Sequence, residues 1–303
     1  MNVDRLDWAL CRSFLAILRE GSLSGAARRL NLAHPTIRRH LDELEATLGS
    51  PLFARSQTGL VPTALGLDLR DPAEAMESAA AALVRLASAE TGAIAGTVRI
   101  TASEMIGVEV LPPILSQLRA AHPALDFELV LTSAIQDIAR RDADIAIRMV
   151  RPIQPGLVVR KLGIVPLGLY AHRRWVAAHG LPASRAALVA SRHLIGPDRE
   201  NHALLQAFAS QGVHATAADF GLRCDSDLAQ LAAIRAGLGV GVVQAGIAAR
   251  DPDLVRILPD AQLGLEIWLA MPPGHRAIAR LRVAAEVLAT GLSAYARNTS
   301  PTA

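Results

Sequence analysis

Basic side chains that could bind a polyanion are concentrated near the start of the sequence. Residues 21–40 contain four arginines (Arg28, Arg29, Arg38 and Arg39) and no acidic residue. A guanidinium group donates a planar fork of hydrogen bonds that fits phosphate oxygens and the edge of guanine. On a helical wheel, Pro35 and Thr36 flank Arg39 and Arg38 lies to one side. This cluster predicts contact with nucleic acid.

A helix-turn-helix would hold these arginines in position. Ala27 is small enough for two helices to cross closely, and Asn31, four residues later, suits a left-handed turn. Pro35 suits the first turn of a second helix, where its missing N–H is not needed. The apolar positions that follow have the spacing of one buried helix face: Ile37, Leu41, Leu44 and Leu48. A basic outer face on a second helix is how such motifs enter a DNA major groove. The alternative is an ordinary helical hairpin with a solvated basic face.

The flanking segments complete a winged motif. Residues 6–19 form an amphipathic helix that Gly21 ends, and Ser22 or Ser24 can cap the next helix and leave N–H groups for a phosphate. Two short β-prone pieces, Leu52–Arg55 and Leu60–Pro62, flank a polar turn and predict a hairpin wing. Arg55 and Thr58 on this wing are placed to contact backbone phosphate.

An alanine-rich helix is predicted for residues 63–90. Leu69, Met76 and Leu83 repeat every seven residues, which favours pairing with a second copy of the chain. Packing on its own domain is the alternative. The segment 71–74 resembles a cap followed by proline and predicts a kink or a restart of the helix.

From Gly96 the pattern changes to alternating β-prone and helical segments. The β-prone runs are Val98–Ile100, Phe127–Leu131, Ile145–Met149, Ile164–Tyr170, Arg192–Ile195, Phe220–Cys224, Val240–Val243 and Leu265–Ala270. The helical runs are Val108–Ala121, Ile135–Arg141, His202–Ser210, Asp227–Ala236 and Ile278–Tyr295. Alternation of this kind is typical of a parallel sheet. Two such sets predict two lobes, with the cleft between them as the ligand site.

Composition sets further limits. The 303 residues are 51% hydrophobic, which is ample for buried cores, and the net charge is only +3, so the basic excess is local. Cys11 and Cys224 are far apart and lack metal-ligand spacing, which favours buried thiols in a reducing compartment. The start of the sequence does not resemble a signal peptide, and Leu228–Ala249 is interrupted by glycines and Arg235, so we expect a cytoplasmic protein without a membrane partner.

Several segments resemble the LysR-type transcriptional regulator family. Residues 8–66 match its DNA-binding domain through F-L-A-I-L-R-E-G-S-L-S-G-A-A-R-R-L-N-L, P-T-I-R-R-H-L-D-E-L-E-A-T-L-G and P-L-F-A-R…L-V-P-T-A-L-G. Looser matches follow in the right order: G-T-V-R-I-T-A-S at 96–103, L-P-P-I-L at 111–115, D-A-D-I-A-I-R at 142–148 and A-G-L-G-V-G-V-V at 236–243. The resemblance therefore covers nearly the whole chain.

The resemblance implies a multidomain fold class. An all-α winged helix-turn-helix at 1–66 would be followed by a dimerising linker helix at 67–92. An α/β effector domain like a periplasmic binding protein would occupy 93–303, with lobe 1 at about 96–164 and 271–296 and lobe 2 at about 165–270. The family usually forms homotetramers that bend promoter DNA and respond to a small co-inducer.

Family positions for DNA contact fall on His34, Pro35, Arg38 and Arg39 of this sequence. Two of them depart from the usual pattern, since His34 replaces a common Gln and Arg38 a common Ser. Arg38 offers an additional contact to guanine or phosphate. With the positions read from the residues themselves, the expected DNA contacts are Ser22, Ser24, His34, Pro35, Thr36, Arg38, Arg39, Arg55 and Thr58.

Family effector positions fall where predicted strands end: Thr101, Ser103, Thr132, Ser133, Arg148, Ile195, Gly196, Asp225 and Ser226. Hydroxyls and N–H groups at the ends of parallel strands suit a carboxylate or another anion, with Arg148 as the counter-charge. Structural alternatives remain open: Ser226 and Ser103 as helix or turn caps, and Arg148 paired with Asp144. Asp142 and Asp144 are interpreted as a solvated loop pair rather than a catalytic dyad.

A ligand-binding α/β protein or an enzyme with an N-terminal helical interaction domain is the alternative function. Its best support is the run of glycines at 237–241. A dinucleotide-binding loop needs such glycines after a strand and before a helix, whereas here they end a predicted helix and lead into a strand. We therefore expect a helix cap there, and no catalytic residues, metal or cofactor.

Overall fold

The computed structural model describes residues 6–56, 59–87, 94–132, 143–154, 156–198, 216–260 and 263–297. These residues divide into two units, 6–87 and 94–297. None of the described helices is long and apolar enough to cross a membrane.

The N-terminal unit is a helix-turn-helix with a wing, as predicted. Its elements are α1 (Trp8–Glu20), α2 (Leu23–Leu30), α3 (His34–Leu48), the antiparallel pair β1 (Phe53–Ser56) and β2 (Gly59–Pro62), α4 (Ala64–Asp68) and α5 (Arg70–Ala87). Phe14 and Ile17 of α1, Ile37 of α3 and Leu52 before the wing share one buried core. Gly21 and Asn31 end α1 and α2 in the left-handed conformation, with φ of 65° and 52°.

The predicted interruption of the linker is a restart of the helix. Helix α4 ends at Asp68 and α5 begins at Arg70, two residues before Pro72. Pro72 therefore lies in the first turn of α5, where a helix does not need its N–H. The break falls slightly earlier than the segment 71–74 suggested.

The C-terminal unit alternates strands and helices. Its strands are β3 (Gly96–Ala102), β4 (Leu125–Leu131), β5 (Ile145–Arg148), β6 (Val158–His172), β7 (Leu194–Gly196), β8 (Phe220–Arg223), β9 (Val240–Gln244), β10 (Leu254–Ile257) and β11 (Leu263–Met271). Its α-helices are α6 (Glu104–Glu109), α7 (Leu111–Ala121), α8 (Arg173–His179), α9 (Arg185–Ala190), α10 (Asp227–Arg235), α11 (Ala245–Ala248) and α12 (Ala279–Arg297).

The sheet is mixed, so the prediction of a parallel sheet was only partly right. Strand β3 is parallel to β4 and β5 in one lobe, and β7 is parallel to β8 and β9 in the other. Strands β6 and β11 are antiparallel to each other and run between the two lobes. They differ in direction because the chain crosses from the first lobe on β6 and returns on β11.

Other predicted bounds also need correction. The single helix expected at Val108–Ala121 is two helices, since Pro112 and Pro113 lack the N–H groups that would continue α6 into α7. Strand β6 begins at Val158 rather than at Ile164, and β10, α8, α9 and α11 were not predicted. The helices predicted at 135–141 and 202–210 lie outside the described residues.

The core of the first lobe is built around α12, the last described helix. Leu281, Leu288 and Leu292 of this helix are fully buried against β3, β5 and α7. Thus the end of the chain completes the lobe in which the C-terminal unit begins. Burial of these aliphatic side chains is the main favourable term in its stability.

We expect Leu288→Ala to lower the free energy of unfolding of the C-terminal unit by about 2–5 kcal/mol, because it leaves a cavity in this core. Leu181→Ala is the matched control: its side chain is 65% exposed, and its loss should change stability by less than about 0.5 kcal/mol. Urea unfolding of the two variants measures the difference, and equal losses would contradict the placement of α12 in the core.

Candidate DNA interface and effector edges

Burial of one face of α3 decides which side chains it exposes. Ile37, Leu41 and Leu44 are buried in the core of the N-terminal unit, and Leu48 is partly buried. Because these positions lie on one side of the helix, the positions opposite them must face solvent. The predicted apolar row is therefore confirmed.

Polar contacts join α3 to α1 and to the base of the wing. The Oγ of Ser13, a fully buried residue of α1, lies 2.7 Å from Nδ1 of His40. The Oε1 of Glu45 accepts hydrogen bonds from the backbone N–H groups of Leu52 and Phe53, at 2.6 and 3.3 Å. These bonds tie α3 to α1 and to the base of the wing, and the sequence pattern gave no sign of either.

The exposed side of α3 is basic at its start. His34, Pro35, Arg38 and Arg39 are exposed, and Thr36 is half-buried. Within the described part of the chain, neither Arg38 nor Arg39 has an ion pair or a hydrogen bond to its side chain. Their guanidinium groups are therefore available to a ligand.

The two serines before α2 differ in their contacts. Ser22 is the N-cap, and its hydroxyl accepts a hydrogen bond from the backbone N–H of Gly25 at 3.1 Å. Ser24 is exposed within the first turn of α2. The cap was expected at one of the two, and it is Ser22.

The second strand of the wing is joined to the end of α1. Leu60 donates its backbone N–H to the carbonyl of Gly21 at 3.0 Å, and a Cβ on Gly59 would lie 2.8 Å from the same oxygen. A side chain at Gly59 would therefore push the wing away from the end of α1. Arg55 is exposed on β1, and Thr58 lies outside the described residues.

The candidate effector residues of the first lobe lie at one sheet edge. Ser103 and Thr132 each follow directly after the neighbouring parallel strands β3 and β4, and Arg148 ends β5. Arg148 is buried, and it donates hydrogen bonds to the Ile147 carbonyl at 2.9 Å and the Thr101 hydroxyl at 3.1 Å. Ser133 lies outside the described residues.

Ser103 occupies the N-cap position of α6, but its hydroxyl makes no capping hydrogen bond. This result separates the two candidate serines, because Ser226 does cap α10 by accepting from the Ala229 N–H at 3.3 Å. The structural interpretation of Ser226 is thus correct as far as its cap is concerned.

The candidate residues of the second lobe lie at the matching edge of its sheet. Ile195 and Gly196 are buried in β7, and the exposed Asp225 follows β8. Gly196 has no room for a side chain, since a Cβ would lie 2.2 Å from the Phe220 ring.

The two edges are joined by contacts between the lobes. Met105 of α6, two residues after Ser103, shares a buried cluster with Ile195 of β7. At the other end of α6, Glu109 accepts hydrogen bonds from Arg235 at 2.8 and 3.3 Å, which raises the pKa of Arg235. Sequence reasoning missed this ion pair because its partners are 126 residues apart.

Asp144 contradicts its interpretation as a solvated residue. Its side chain is only 4% exposed, and Oδ2 accepts a hydrogen bond from the backbone N–H of Arg99 at 2.9 Å. His275 Nδ1 lies 3.8 Å from its other oxygen. Burying a carboxylate costs free energy unless it is hydrogen-bonded, and the N–H of a strand residue supplies that bond here. Asp142 lies outside the described residues.

The glycine run at 237–241 is a helix end, as predicted. Helix α10 ends at Arg235, and Gly237 adopts the left-handed conformation with φ of 72° before β9 begins at Val240. No group of three or more metal-binding side chains occurs among the residues that the structure describes.

These features define a winged helix-turn-helix protein with a two-lobed α/β domain. Residues 8–67 match the family model described as bacterial regulatory helix-turn-helix protein, lysR family, and residues 91–293 match the LysR substrate binding domain. The chain therefore belongs to the LysR family.

Curated relatives are regulators rather than enzymes. The chain is 33% identical to the Mau operon transcriptional activator of Paracoccus denitrificans over 168 residues, 55% of this chain and 59% of that protein. It is 28% identical to the regulator CbbR of Sinorhizobium medicae over 251 residues, 82% of this chain and 80% of that protein. The match to the Mau activator thus spans little more than half of that protein's length.

Solved structures share the fold. The LysR family regulator CbnR has a TM-score of 0.69 and 21% identity, with 94% of this chain and 99% of that chain covered. A full-length CbnR complexed with its target DNA has a TM-score of 0.67 and 20% identity, with 97% and 100% covered.

We expect Ser226→Ala to destabilise the C-terminal unit by about 1 kcal/mol, because it removes the cap of α10. Ser103→Ala should change stability by less than about 0.5 kcal/mol, since its hydroxyl caps nothing. Paired denaturation curves test this difference, and a larger loss for Ser103→Ala would show that its hydroxyl has a structural partner.

Proposed function

We propose that this chain is a sequence-specific DNA-binding transcription regulator whose activity is modulated by a small-molecule effector. The main support for this proposal is that Arg38 and Arg39 are exposed and unpaired on a helix whose opposite face is buried. Contact with bacterial promoter DNA would place the protein in the cytoplasm. The family relatives are regulators, which favours this function over an enzyme or a pure solute-binding protein.

The proposed division of labour follows the expected boundaries. Residues 1–66 bind DNA, 67–92 form the linker and 93–303 bind the effector, with lobe 1 at about 96–164 and 271–296 and lobe 2 at about 165–270. We assign self-association to a dimer or tetramer to α5, where Leu83 and Val84 are 70% and 69% exposed. Large exposed aliphatic side chains on a helix favour pairing with a second copy.

In the proposed complex the start of α3 enters the major groove. Arg38 and Arg39 contact guanine edges or phosphates, and His34, Pro35 and Thr36 complete the contact surface. Ser22 at the start of α2, Ser24 in its first turn and Arg55 on β1 contact backbone phosphates, and we assign the same role to Thr58. Phosphate contacts position the helix, and contacts from α3 choose the sequence.

The proposed effector is a small organic anion, for example a carboxylate, bound between the lobes. The buried guanidinium of Arg148 supplies positive charge at the end of β5, and Thr101, Ser103, Thr132 and Ser133 supply hydroxyls. Ile195, Gly196, Asp225 and Ser226 form the facing wall. Met105 and Ile195 share one cluster, which supports the nearness of the two edges.

Arg39→Ala should weaken selective binding to a duplex that the wild-type chain enriches from a random pool. Losing a bidentate contact to guanine costs about 1–3 kcal/mol, or roughly 5- to 150-fold in affinity. Arg119→Ala is the control, since it removes the same charge from the C-terminal unit, where this exposed arginine pairs with Asp126. Fluorescence anisotropy at several salt concentrations measures both.

Failure of the wild-type chain to enrich any duplex would reject the proposed function. Equal affinity of Arg39→Ala and wild type would reject only the role of Arg39. Wild-type affinity should also fall steeply with salt, because phosphate contacts release counterions.

Ser103→Ala should reduce the thermal shift that an effector produces, although the variant itself should melt at the wild-type temperature. A screen of small carboxylates against the wild-type chain first identifies a ligand that raises the Tm. Ser116→Ala, an exposed serine on α7, is the matched control. Equal shifts in all three proteins would remove Ser103 from the site, and a screen in which only neutral compounds raise the Tm would reject the anionic effector.

A further inference from the structure

Arg19, near the end of α1, is clamped to α5 by a two-point ion pair. Its Nη1 and Nη2 donate to Oε1 and Oε2 of Glu77 at 3.0 and 2.6 Å, and Nη2 lies 3.5 Å from Oε1 of Glu74. Two parallel bonds from one guanidinium fix the orientation of both side chains. The two residues are 58 positions apart in sequence, and their pair joins α1 to α5.

The position of this clamp along α5 gives it mechanical importance. One turn before Glu77, Ala73 is still buried in the core of the helix-turn-helix. Beyond it, the described side chains of Leu83 and Val84 are largely exposed. The Arg19–Glu77 ion pair, called the clamp below, therefore lies where α5 extends beyond the core of the helix-turn-helix.

Electrostatic surroundings favour the charged pair. The hydrogen bond to Glu77 raises the pKa of Arg19. That same bond lowers the pKa of Glu77, and the nearby charges of Arg29 and Arg12 lower it further. Arg29 itself pairs with Glu20 at 3.2 Å. Glu77 thus lies among the positive charges of Arg12, Arg19 and Arg29.

We propose that Arg19 and Glu77 are positioning residues that set the angle between the winged helix-turn-helix and α5. In a dimer paired through α5, that angle determines the distance between the two recognition helices, and so the separation of DNA half-sites that the dimer accepts. This inference rests on the proposed function. Neither residue needs to contact DNA for this role.

Because α5 is long, a small rotation at the clamp moves its far end by several ångströms. The ten residues from Glu77 to the described end of α5 at Ala87 span about 15 Å. A rotation of about 10° at the clamp displaces that end by about 3 Å, close to the roughly 3.4 Å rise of one base pair. Loosening the clamp should therefore blur a preference between half-site spacings that differ by one base pair.

Half-site spacing gives the first test. Wild type, Arg19→Glu, Glu77→Arg and the double swap are measured on duplexes whose selected half-sites are kept or moved apart by one or two base pairs. We expect each single variant to lose about fivefold in discrimination between spacings. The double swap should recover part of it, because the ion pair reforms, whereas the unchanged charges of Glu74, Arg12 and Arg29 oppose the reversed pair. Unchanged discrimination in Arg19→Glu, or no recovery in the double swap, would overturn the proposal.

A measurement without DNA tests the role of the clamp independently of the proposed function. Spin labels at Glu43→Cys on α3 and Ala79→Cys on α5, both exposed positions, are placed in a chain that carries Cys11→Ala and Cys224→Ala, diluted with unlabelled chain. We expect a narrow distance distribution with the native pair, a broad one with Arg19→Glu and a narrower one with the double swap.

Equal widths in all these chains would overturn the clamp, even if the wild type binds DNA selectively. If the wild-type chain enriches no duplex, the proposed function fails, and the label distances still decide whether Arg19 and Glu77 fix the angle. Circular dichroism of each variant reports whether the helices are intact, so that a broad distribution is not mistaken for unfolding.

Discussion

Burial of three aliphatic side chains on α3 is the constraint on which the rest of the N-terminal unit depends. Ile37, Leu41 and Leu44 can enter the core in only one rotational setting of the helix, and that setting turns Arg38 and Arg39 outward. A hydrogen bond between His40 and Ser13, and the bond that Glu45 accepts from the Leu52 N–H, then fix the helix against α1 and the base of the wing. An arginine side chain is flexible, so its use in recognition depends on a rigid base.

Five arginines of this unit are divided between two tasks. Arg19 and Arg29 are paired with acids, and they hold elements together. Arg38, Arg39 and Arg55 are exposed and have no described partner for their side chains. Composition alone could not separate the two groups, because every arginine carries the same charge. Only the positions of Glu20, Glu74 and Glu77 make the distinction.

Local patterns in the sequence were sufficient for much of the fold. The apolar row of α3, the left-handed Asn31, the wing and most strands of the C-terminal unit follow from spacing and residue type. The directions of β6 and β11, the burial of Asp144 and the Arg19–Glu77 pair do not. Each of these depends on a partner distant in sequence, and such pairings leave no periodic trace. The sequence likewise could not show that Ser226 caps a helix with its hydroxyl and Ser103 does not, because this depends on the geometry at each helix start.

The antiparallel strands β6 and β11 carry a mechanical consequence for the C-terminal unit. They are bonded to each other from Leu263 opposite Leu167 to Met271 opposite Val158, and the register shifts only between Ile267 and Trp268. The lobes are thus connected by a two-stranded ribbon rather than by loose loops. Any opening or closing must twist this ribbon, and its elastic resistance favours a small rotation that is shared by both lobes. The register shift between Ile267 and Trp268 interrupts the regular ladder and is where we expect the ribbon to be most strongly bent and twisted.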